Sequence, residues 1–342
     1  MARALLYLIS AVTIFSLGAS HGWAQESFYK GKVIRIIEAY SAGGGYDAYA
    51  RLLARHMGRH IPGKPALVVE NMTGAGGLIA VNYLYNRAEP DGLTMGNWNG
   101  ALSLQQYLGR QGIEFDAPKF GWVGSPLRPT PLCVLSKSTG VTGVSEWMAA
   151  KKPIKLGGMA PGTSLSDDAR VLQTALGLPL QLVEGYKGGA DVKLAIGQGE
   201  IQGACGLAWQ TQKATWQQEL KTMNIVLQVG RKPHPELPKV PLVYEFAKTD
   251  DARQLLKVGI QDLSALGHAY TLPPGVRKDR LETLRKAFAA TMRDPEFLAD
   301  AQRSKIIIEP TPGEELEQIV ASFSQLSPEI RGKLKAILLP AK

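Results

Sequence analysis

The sequence predicts an α/β protein of two lobes with a ligand cleft between them. Short apolar runs alternate with stretches of helical periodicity, which indicates parallel sheets built from βαβ units. The alternation restarts near Phe120, so the pattern describes two such units rather than one. Glycine-rich turns join several strands to the helices that follow them, and ligands of such sheets bind at the carboxyl ends of the strands.

The first unit alternates three strands with two helices. Its first helix ends before Pro62-Gly63, because proline cannot continue a helix and glycine commonly terminates one. The predicted strands are residues 33–40, 66–70 and 93–98, and the predicted helices are residues 47–61 and 78–87.

The second unit repeats this alternation, and the last third of the chain is mostly helical. Ser327 is the expected cap of the last helix, with Pro328 at its first position. We expect one lobe from residues 25–126 together with 229–342, and a second lobe from residues 127–228. The predicted strands are residues 121–124, 131–135, 154–158, 181–184, 201–208 and 225–229. The predicted helices are residues 145–151, 166–176, 190–198, 277–293, 295–302, 313–326 and 327–338.

The N-terminus has the pattern of a secretory signal peptide. Arg3 supplies a positive start, residues 4–19 are almost unbroken apolar, and small residues precede a cleavage site after Ala24. This apolar run of 16 residues is short for a membrane span, which needs roughly 20. An uncleaved anchor is the alternative. We expect residues 1–24 to be removed and the mature protein to be exported to the periplasm.

The composition is that of an ordinary globular chain of 342 residues, with 45% hydrophobic and 20% charged residues. The formal net charge is +9, and loss of residues 1–24 removes only Arg3 and leaves +8. The basic residues are scattered, with no run of five and no interleaved aromatic residues, so we expect no nucleic-acid partner. A positive field that concentrates an anionic small molecule fits this surplus.

The two cysteines, Cys133 and Cys205, lie in apolar stretches that are predicted to be strands. An exported protein tolerates disulfides, so a bond between them is open. The alternative, which we expect, is a pair of buried free thiols. Neither cysteine has a C-x-x-C or Cys/His spacing that indicates a metal.

The stretch Gly43-Gly44-Gly45-Tyr46-Asp47-Ala48 fits the G-x-G-x-x-A fingerprint of dinucleotide-binding turns, and Glu70 follows Ala48 by 22 residues. Three features argue against a dinucleotide. Asp47 would place a carboxylate in the first helical turn, where a pyrophosphate needs free N–H groups. A second glycine loop at residues 74–77 follows the second strand. An exported protein also meets no nicotinamide pool.

We interpret the two glycine loops as one anion-binding site. Successive backbone N–H groups near a helix N-terminus bind an anion without a charged side chain, which suits a carboxylate that must be released again. Asp47 would steady the start of its helix and orient waters. The alternative is that the first loop only makes a tight turn.

A further glycine-containing turn, residues 159–166, precedes a helix in the second unit. Thr163 and Ser164 offer hydroxyls that either cap this helix or contact a ligand, and both roles stay open. Ser166 is the expected N-cap, and the Asp167-Asp168 pair complements the helix dipole.

Patterns typical of catalysis are scarce. No G-x-S-x-G, H-E-x-x-H or P-loop pattern occurs, and the histidines are dispersed. Asp167 and Asp168 are neighbours on a helix, so their side chains diverge, which does not suit paired acid–base catalysis. We therefore expect no enzyme, no cofactor and no metal.

The glycine loops and four later segments resemble those of the periplasmic receptors of tripartite tricarboxylate transporters, the TctC or Bug family. The segments follow the family order and cover nearly the whole mature chain. They are residues 42–47 running into Ala50-Arg51, Val69-Glu70-Asn71 with residues 74–77, and then residues 90–94, 162–164, 186–188 and 237–241.

The resemblance implies a two-lobe periplasmic-binding-protein fold, of the Venus flytrap, type II-like kind, that captures an organic di- or tricarboxylate. We expect a monomer that delivers its ligand to a large and a small membrane subunit. A receptor for another transporter or for a sensor kinase, and an exported enzyme, are the alternatives. The implied ligand-binding residues are Gly43, Gly44, Gly45, Tyr46, Asp47, Gly74, Ala75, Gly76, Asn99, Thr163, Ser164, Tyr186 and Gly188.

Several positions depart from the family pattern. Ser41-Ala42 replaces the usual prolines, Tyr46 stands where a small residue is usual, and Met72-Thr73 replaces Arg-Pro. The Asn97-Trp98-Asn99 stretch is also unusual. Tyr46 and Trp98 either line a roomier or aromatic-accepting pocket or pack against the lobe, so these departures bear on the ligand more than on the fold.

Overall fold

The computed structural model describes residues 28–40, 42–43, 45–159, 161–186 and 189–339. The predicted signal peptide and, within the candidate site, Gly44 and Gly188 lie outside these residues. Within the described ranges, no helix combines the length and the apolar character that crossing a bilayer requires.

The strands follow the predicted ones closely up to residue 228, and two further short strands come from the C-terminal third. The strands are β1 (Val33–Glu38), β2 (Ala66–Asn71), β3 (Thr94–Trp98), β4 (Gly121–Ser125), β5 (Pro131–Ser136), β6 (Ile154–Gly157), β7 (Leu180–Val183), β8 (Gly203–Ala208), β9 (Met223–Gln228), β10 (Ala269–Leu272) and β11 (Thr311–Pro312).

Most helices also lie where the periodicity predicts them, and the last one has the expected cap, because the Ser327 side chain accepts a hydrogen bond from the Ile330 N–H. The sequence analysis missed the short helices α3, α7, α8 and α9. The helices are α1 (Gly45–Met57), α2 (Leu78–Asn86), α3 (Leu102–Tyr107), α4 (Val144–Met148), α5 (Ser164–Leu176), α6 (Gly189–Gln198), α7 (Trp209–Thr215), α8 (Asp250–Leu256), α9 (Leu263–Ala265), α10 (Lys278–Thr291), α11 (Pro295–Arg303), α12 (Gly313–Ser322) and α13 (Pro328–Leu338).

The first sheet has the strand order β11-β4-β10-β3-β1-β2. Strand β1 pairs in parallel with both β2 and β3, as the βαβ pattern predicts. Strand β10 lies antiparallel between β3 and β4. The expectation of a wholly parallel sheet is therefore wrong here, because the chain returns from the second sheet and enters the first one in the opposite direction.

The second sheet has the order β7-β6-β8-β5-β9. Strands β7, β6 and β8 are parallel, while β5 is antiparallel to both β8 and β9. All its strands come from one stretch of chain, Pro131–Gln228. We call the first sheet with its covering helices the first lobe, and the second sheet with its helices the second lobe.

The two faces of the first sheet are both buried. Ile34 and Ile36 of β1 face helices α1, α10 and α11, and Ile37 faces the opposite side with α2. Trp98 also packs on that side, with its ring 5.4 Å from the ring of Trp122. Of the two roles left open for Trp98, packing in the core is the one it has.

Helices from the C-terminal third extend over the second lobe. Both α8 and α13 pack against α5, which covers the second sheet. This third of the chain therefore contacts both lobes, and the boundaries at residues 126, 127, 228 and 229 stay a prediction.

Cys133 and Cys205 form a disulfide, so the expectation of two free thiols is wrong. The bond joins β5 to β8, which are adjacent antiparallel strands of the second sheet. A spacing of 72 residues in the sequence gave no sign that the two strands are neighbours. Both cysteines are fully buried, as expected.

Candidate ligand-binding site

A cavity of about 180 Å³ lies between the two lobes. Tyr46, Asn99 and Ala101 line it from the first lobe. The N-terminal turn of α5 lines it from the second lobe, and the segment that leads into β10 closes it. The cavity thus lies where the sequence predicts a cleft, near the carboxyl ends of β1 and β3.

Asp47 ties the first glycine loop to the second strand. Its carboxylate accepts hydrogen bonds from the Gly43 N–H at 2.8 Å, from Arg51 Nε at 2.8 Å and from Asn71 Nδ2 at 3.0 Å. The bond from the Arg51 guanidinium is the main reason that the Asp47 pKa lies below its usual range. The Gly43 N–H therefore already donates to Asp47. Through these bonds the Asp47 carboxylate holds the first glycine loop against the end of β2.

The second glycine loop has a backbone that favours glycine. Gly74, Gly76 and Gly77 have φ angles of 131°, 68° and 97°, and Ala75 has a φ of 49°. This left-handed region costs other residues strain. A Cβ placed on Gly77 would lie 3.3 Å from the Tyr40 hydroxyl, so the loop packs closely on that ring.

Tyr46 belongs to an aromatic stack at the cavity wall. Its ring lies on the imidazole of His268 with centroids 3.8 Å apart and planes 16° apart, and Tyr40 approaches within 4.4 Å. His268 is buried. Burial lowers its pKa to about 3, because the surroundings do not solvate the charged form of the ring. Sequence reasoning missed His268, because nothing local marks it.

The second-lobe wall is the start of α5, which begins at Ser164 rather than at the predicted Ser166. The N-cap is Thr163, whose carbonyl accepts the N–H bonds of Ser166 and Asp167 at 3.0 and 2.8 Å. The expectation that Ser166 caps the helix is therefore wrong. Its hydroxyl is buried instead, with no hydrogen-bond partner among the described residues.

Two consecutive acids of α5, Asp167 and Asp168, line the cavity and are both buried. The two oxygens of Asp167 accept from the Gly162 N–H at 3.0 and 3.1 Å. Burial raises the Asp167 pKa to about 7 and raises the Asp168 pKa well above its usual range. The sequence analysis assigned them only to the helix dipole.

Gly206 of β8 lets this helix start approach the sheet. A Cβ at Gly206 would lie 2.1 Å from the Ser164 carbonyl oxygen, and its φ of 72° also favours glycine. Residues 257–262 form a π-helical turn before α9. Gly259 and Ile260 of that turn line the cavity, and such turns are frequent at functional sites.

The structure brings only part of the predicted set to the cavity. Tyr46, Asn99 and Ser164 line it. Tyr186 does not, and its hydroxyl lies 3.5 Å from a carboxylate oxygen of Glu200. The roles of all these predicted residues in ligand binding stay predictions. The other described residues of the predicted set, which do not line this cavity, are Gly43, Gly45, Asp47, Gly74, Ala75, Gly76 and Thr163.

Arg110 is a further residue that the sequence analysis missed. A Cβ placed on Gly76 would lie 3.9 Å from one of its guanidinium nitrogens, and one placed on Gly162 would lie 3.3 Å from the other. Its side chain also donates to Gln105 Oε1. Arg110 therefore joins the second glycine loop to the second lobe. In the described part of the chain, no group of three or more His, Cys, Asp or Glu residues has the arrangement of a metal site.

Comparison with known families decides the kind of protein. The model of the tripartite tricarboxylate transporter family receptor, TctC, matches residues 49–325. The chain belongs to this family. Its members are periplasmic solute-binding receptors, which confirms the resemblance predicted from the glycine loops. Among curated proteins, the UPF0065 protein in the gbd 5′ region of Cupriavidus necator is 24% identical over 309 residues, which are 85% of this chain and 84% of that protein.

Solved structures show the same architecture. A TctC solute-binding protein from Polaromonas, with no ligand, superposes with a TM-score of 0.69 at 18% identity over 92% of this chain and 100% of its own. Rpa4515 of R. palustris, solved with adipate, gives 0.66 at 18% identity over 90% of this chain and 98% of its own. These likenesses confirm the two-lobe α/β fold.

Proposed function

We propose that this protein captures a small organic carboxylate in the periplasm and delivers it to the membrane subunits of a tripartite tricarboxylate-type transporter. The cavity between the lobes carries this proposal, because residues of both lobes line it. A ligand held there contacts both lobes at once and favours the closed arrangement over the open one.

The carboxylate of the ligand binds at the edge of the cavity that Gly162 and Ser164 line, where Arg110 lies beside Gly162. Arg110 supplies the positive charge, and its guanidinium lies against Gly76 on one side and Gly162 on the other. Ser164 supplies a hydroxyl at the first turn of α5, the positive end of the helix dipole. Dicarboxylates are among the candidate ligands, since Rpa4515 of similar fold was solved with adipate.

The protein acts as an exported monomer, after removal of residues 1–24, with a large and a small membrane subunit as partners. A receptor that serves another transporter or a sensor kinase, and an exported enzyme, are the alternatives. Incubation of the purified protein with each carboxylate distinguishes the enzyme, because an enzyme converts the ligand whereas a receptor returns it unchanged. Loss of uptake on deletion of the membrane subunits distinguishes the transporter from the sensor.

The binding test is a thermal-shift screen of mono-, di- and tricarboxylates, followed by calorimetry of each ligand that raises the melting temperature. Arg110→Ala should weaken the best ligand about 10- to 150-fold, because a hydrogen bond to a charged group contributes about 1.5–3 kcal/mol. Arg303→Ala is the matched control, since that side chain is exposed on α11 and does not line the cavity. Equal affinity of Arg110→Ala and the wild type would refute this assignment of the carboxylate site.

A further inference from the structure

The cavity contains a buried acid without a partner. Asp168 is 6% exposed and lines the cavity from the second turn of α5. No hydrogen bond or ion pair to its carboxylate is found among the described residues. A buried ionised carboxylate without a partner is strongly unfavourable, and native structures normally pair such a group.

The neighbouring acid shows what pairing looks like at this site. Asp167 accepts from the Gly162 N–H with both oxygens and lies 3.6 Å from a guanidinium nitrogen of Arg170. Burial is the main cause that raises the pKa of Asp168, and the nearby Asp167 adds to it. Within the described part of the chain, the Asp168 carboxyl therefore has neither a cation nor a hydrogen-bond donor as a partner.

No lysine or arginine is among the described residues that line the cavity. His268 lines the cavity, is 9% exposed, and its Nδ1 is buried without a hydrogen-bond partner among the described residues. Burial lowers its pKa to about 3, so the ring is neutral at physiological pH and one of its nitrogens accepts hydrogen bonds. Asp168 and His268 thus both suit a ligand group that donates.

We propose that the ligand is a zwitterion, whose carboxylate binds at the cavity edge formed by Gly162 and Ser164 beside Arg110 and whose ammonium group binds Asp168. This inference rests on the proposed function, since it assumes that a carboxylate is captured in this cavity. An ammonium carries three donors, of which Asp168 and His268 accept two.

The test compares ligands that differ only at the far end. Calorimetry measures binding of succinate against 4-aminobutanoate, glutarate against 5-aminopentanoate, and adipate against 6-aminohexanoate. In at least one pair, we expect the amino acid to bind ten times more tightly than the diacid. Asp168→Asn should abolish that preference while the diacid binds as well as before or better. Asp191→Asn, an exposed acid on α6, is the matched control and should keep the preference.

The outcomes separate the two proposals. If the diacid binds more tightly in every pair, or if Asp168→Asn leaves the preference unchanged, the zwitterion is refuted and the carboxylate receptor stands. If none of the carboxylates, with or without an ammonium group, binds the wild-type protein, both proposals fail. The comparison within the wild type needs no variant, so a folding defect of Asp168→Asn does not remove the test.

Discussion

Glu38 provides the sharpest test of the electrostatics under the first glycine loop. It is the last residue of β1, is fully buried, and lies in register with Asn97 of β3. One carboxylate oxygen accepts from the Tyr40 N–H at 3.2 Å, whereas the other has no partner among the described residues. The Glu38 pKa is raised from 4.5 to about 8, mainly by burial and in smaller part by the nearby Asp47.

The sign of the pH effect follows from these two pKa values. The unfolded chain loses the Glu38 proton near pH 4.5, while the folded chain keeps it to about pH 8. Between these values the folded state binds one more proton, so the free energy of unfolding falls as the pH rises. The shift is 8 − 4.5 = 3.5 units, and at 1.36 kcal/mol per unit the loss is about 5 kcal/mol when complete.

Urea unfolding of the wild type and of Glu38→Gln at pH 5.0 and pH 8.5 measures this loss. The stability of Glu38→Gln relative to the wild type should rise by several kcal/mol from the lower to the higher pH. Asp167 and Asp168 also titrate, but they contribute equally to both proteins and cancel. Glu70→Gln is the control, because Glu70 is exposed and its pKa is lowered by Arg35. A stability difference that is constant with pH would refute the assignment of a buried proton to Glu38.

Two further predictions concern the second lobe. Replacing both Cys133 and Cys205 by Ala should lower the free energy of unfolding by about 4 kcal/mol, because the bond closes a loop of 72 residues. Urea unfolding should give the same value for this variant and for the reduced wild type. A loss below about 1 kcal/mol would contradict the prediction. Gly206→Ala should weaken ligand binding and stability together, because its Cβ would clash with the Ser164 carbonyl. Gly177→Ala is the control, with a similar φ of 67° and no atom within 4 Å of its Cβ, so it should cost only the backbone strain of about 1–2 kcal/mol. Equal effects of the two glycine substitutions would show that the contact with Ser164 does not matter.

The sequence predicts most of the fold because periodicity and turn residues are local signals. The strands of both sheets up to residue 228 and the long helices follow from them. Strand β10 was missed because it has only four residues and its strand partners, β3 and β4, lie far away in the sequence. The disulfide was missed for the same reason, since the register of β5 against β8 decides which cysteines meet.

The residues of the candidate site also fall into those that local sequence signals predict and those that they do not. The glycine loops were found because consecutive glycines mark a backbone that other residues avoid, and the φ angles at Gly74, Gly76 and Gly77 agree with that reason. His268 and Arg110 were missed because their neighbours come from other elements. An isolated His or Arg in the sequence gives no sign of a ring stacked on Tyr46 or of a guanidinium between two loops.

Asp167 and Asp168 show why a local rule cannot assign the ligand. Both acids lie in the first turns of α5, and the helix dipole would treat them alike. Successive residues of an α-helix point about 100° apart, however, so the two side chains meet different surroundings. Both line the cavity, but only Asp167 accepts a hydrogen bond from the Gly162 N–H. The two acids differ because the loop that contains Gly162 lies on the Asp167 side of the helix. The local sequence does not encode this tertiary arrangement. Since no described residue pairs with Asp168, a ligand group that donates hydrogen bonds and carries positive charge would complement it.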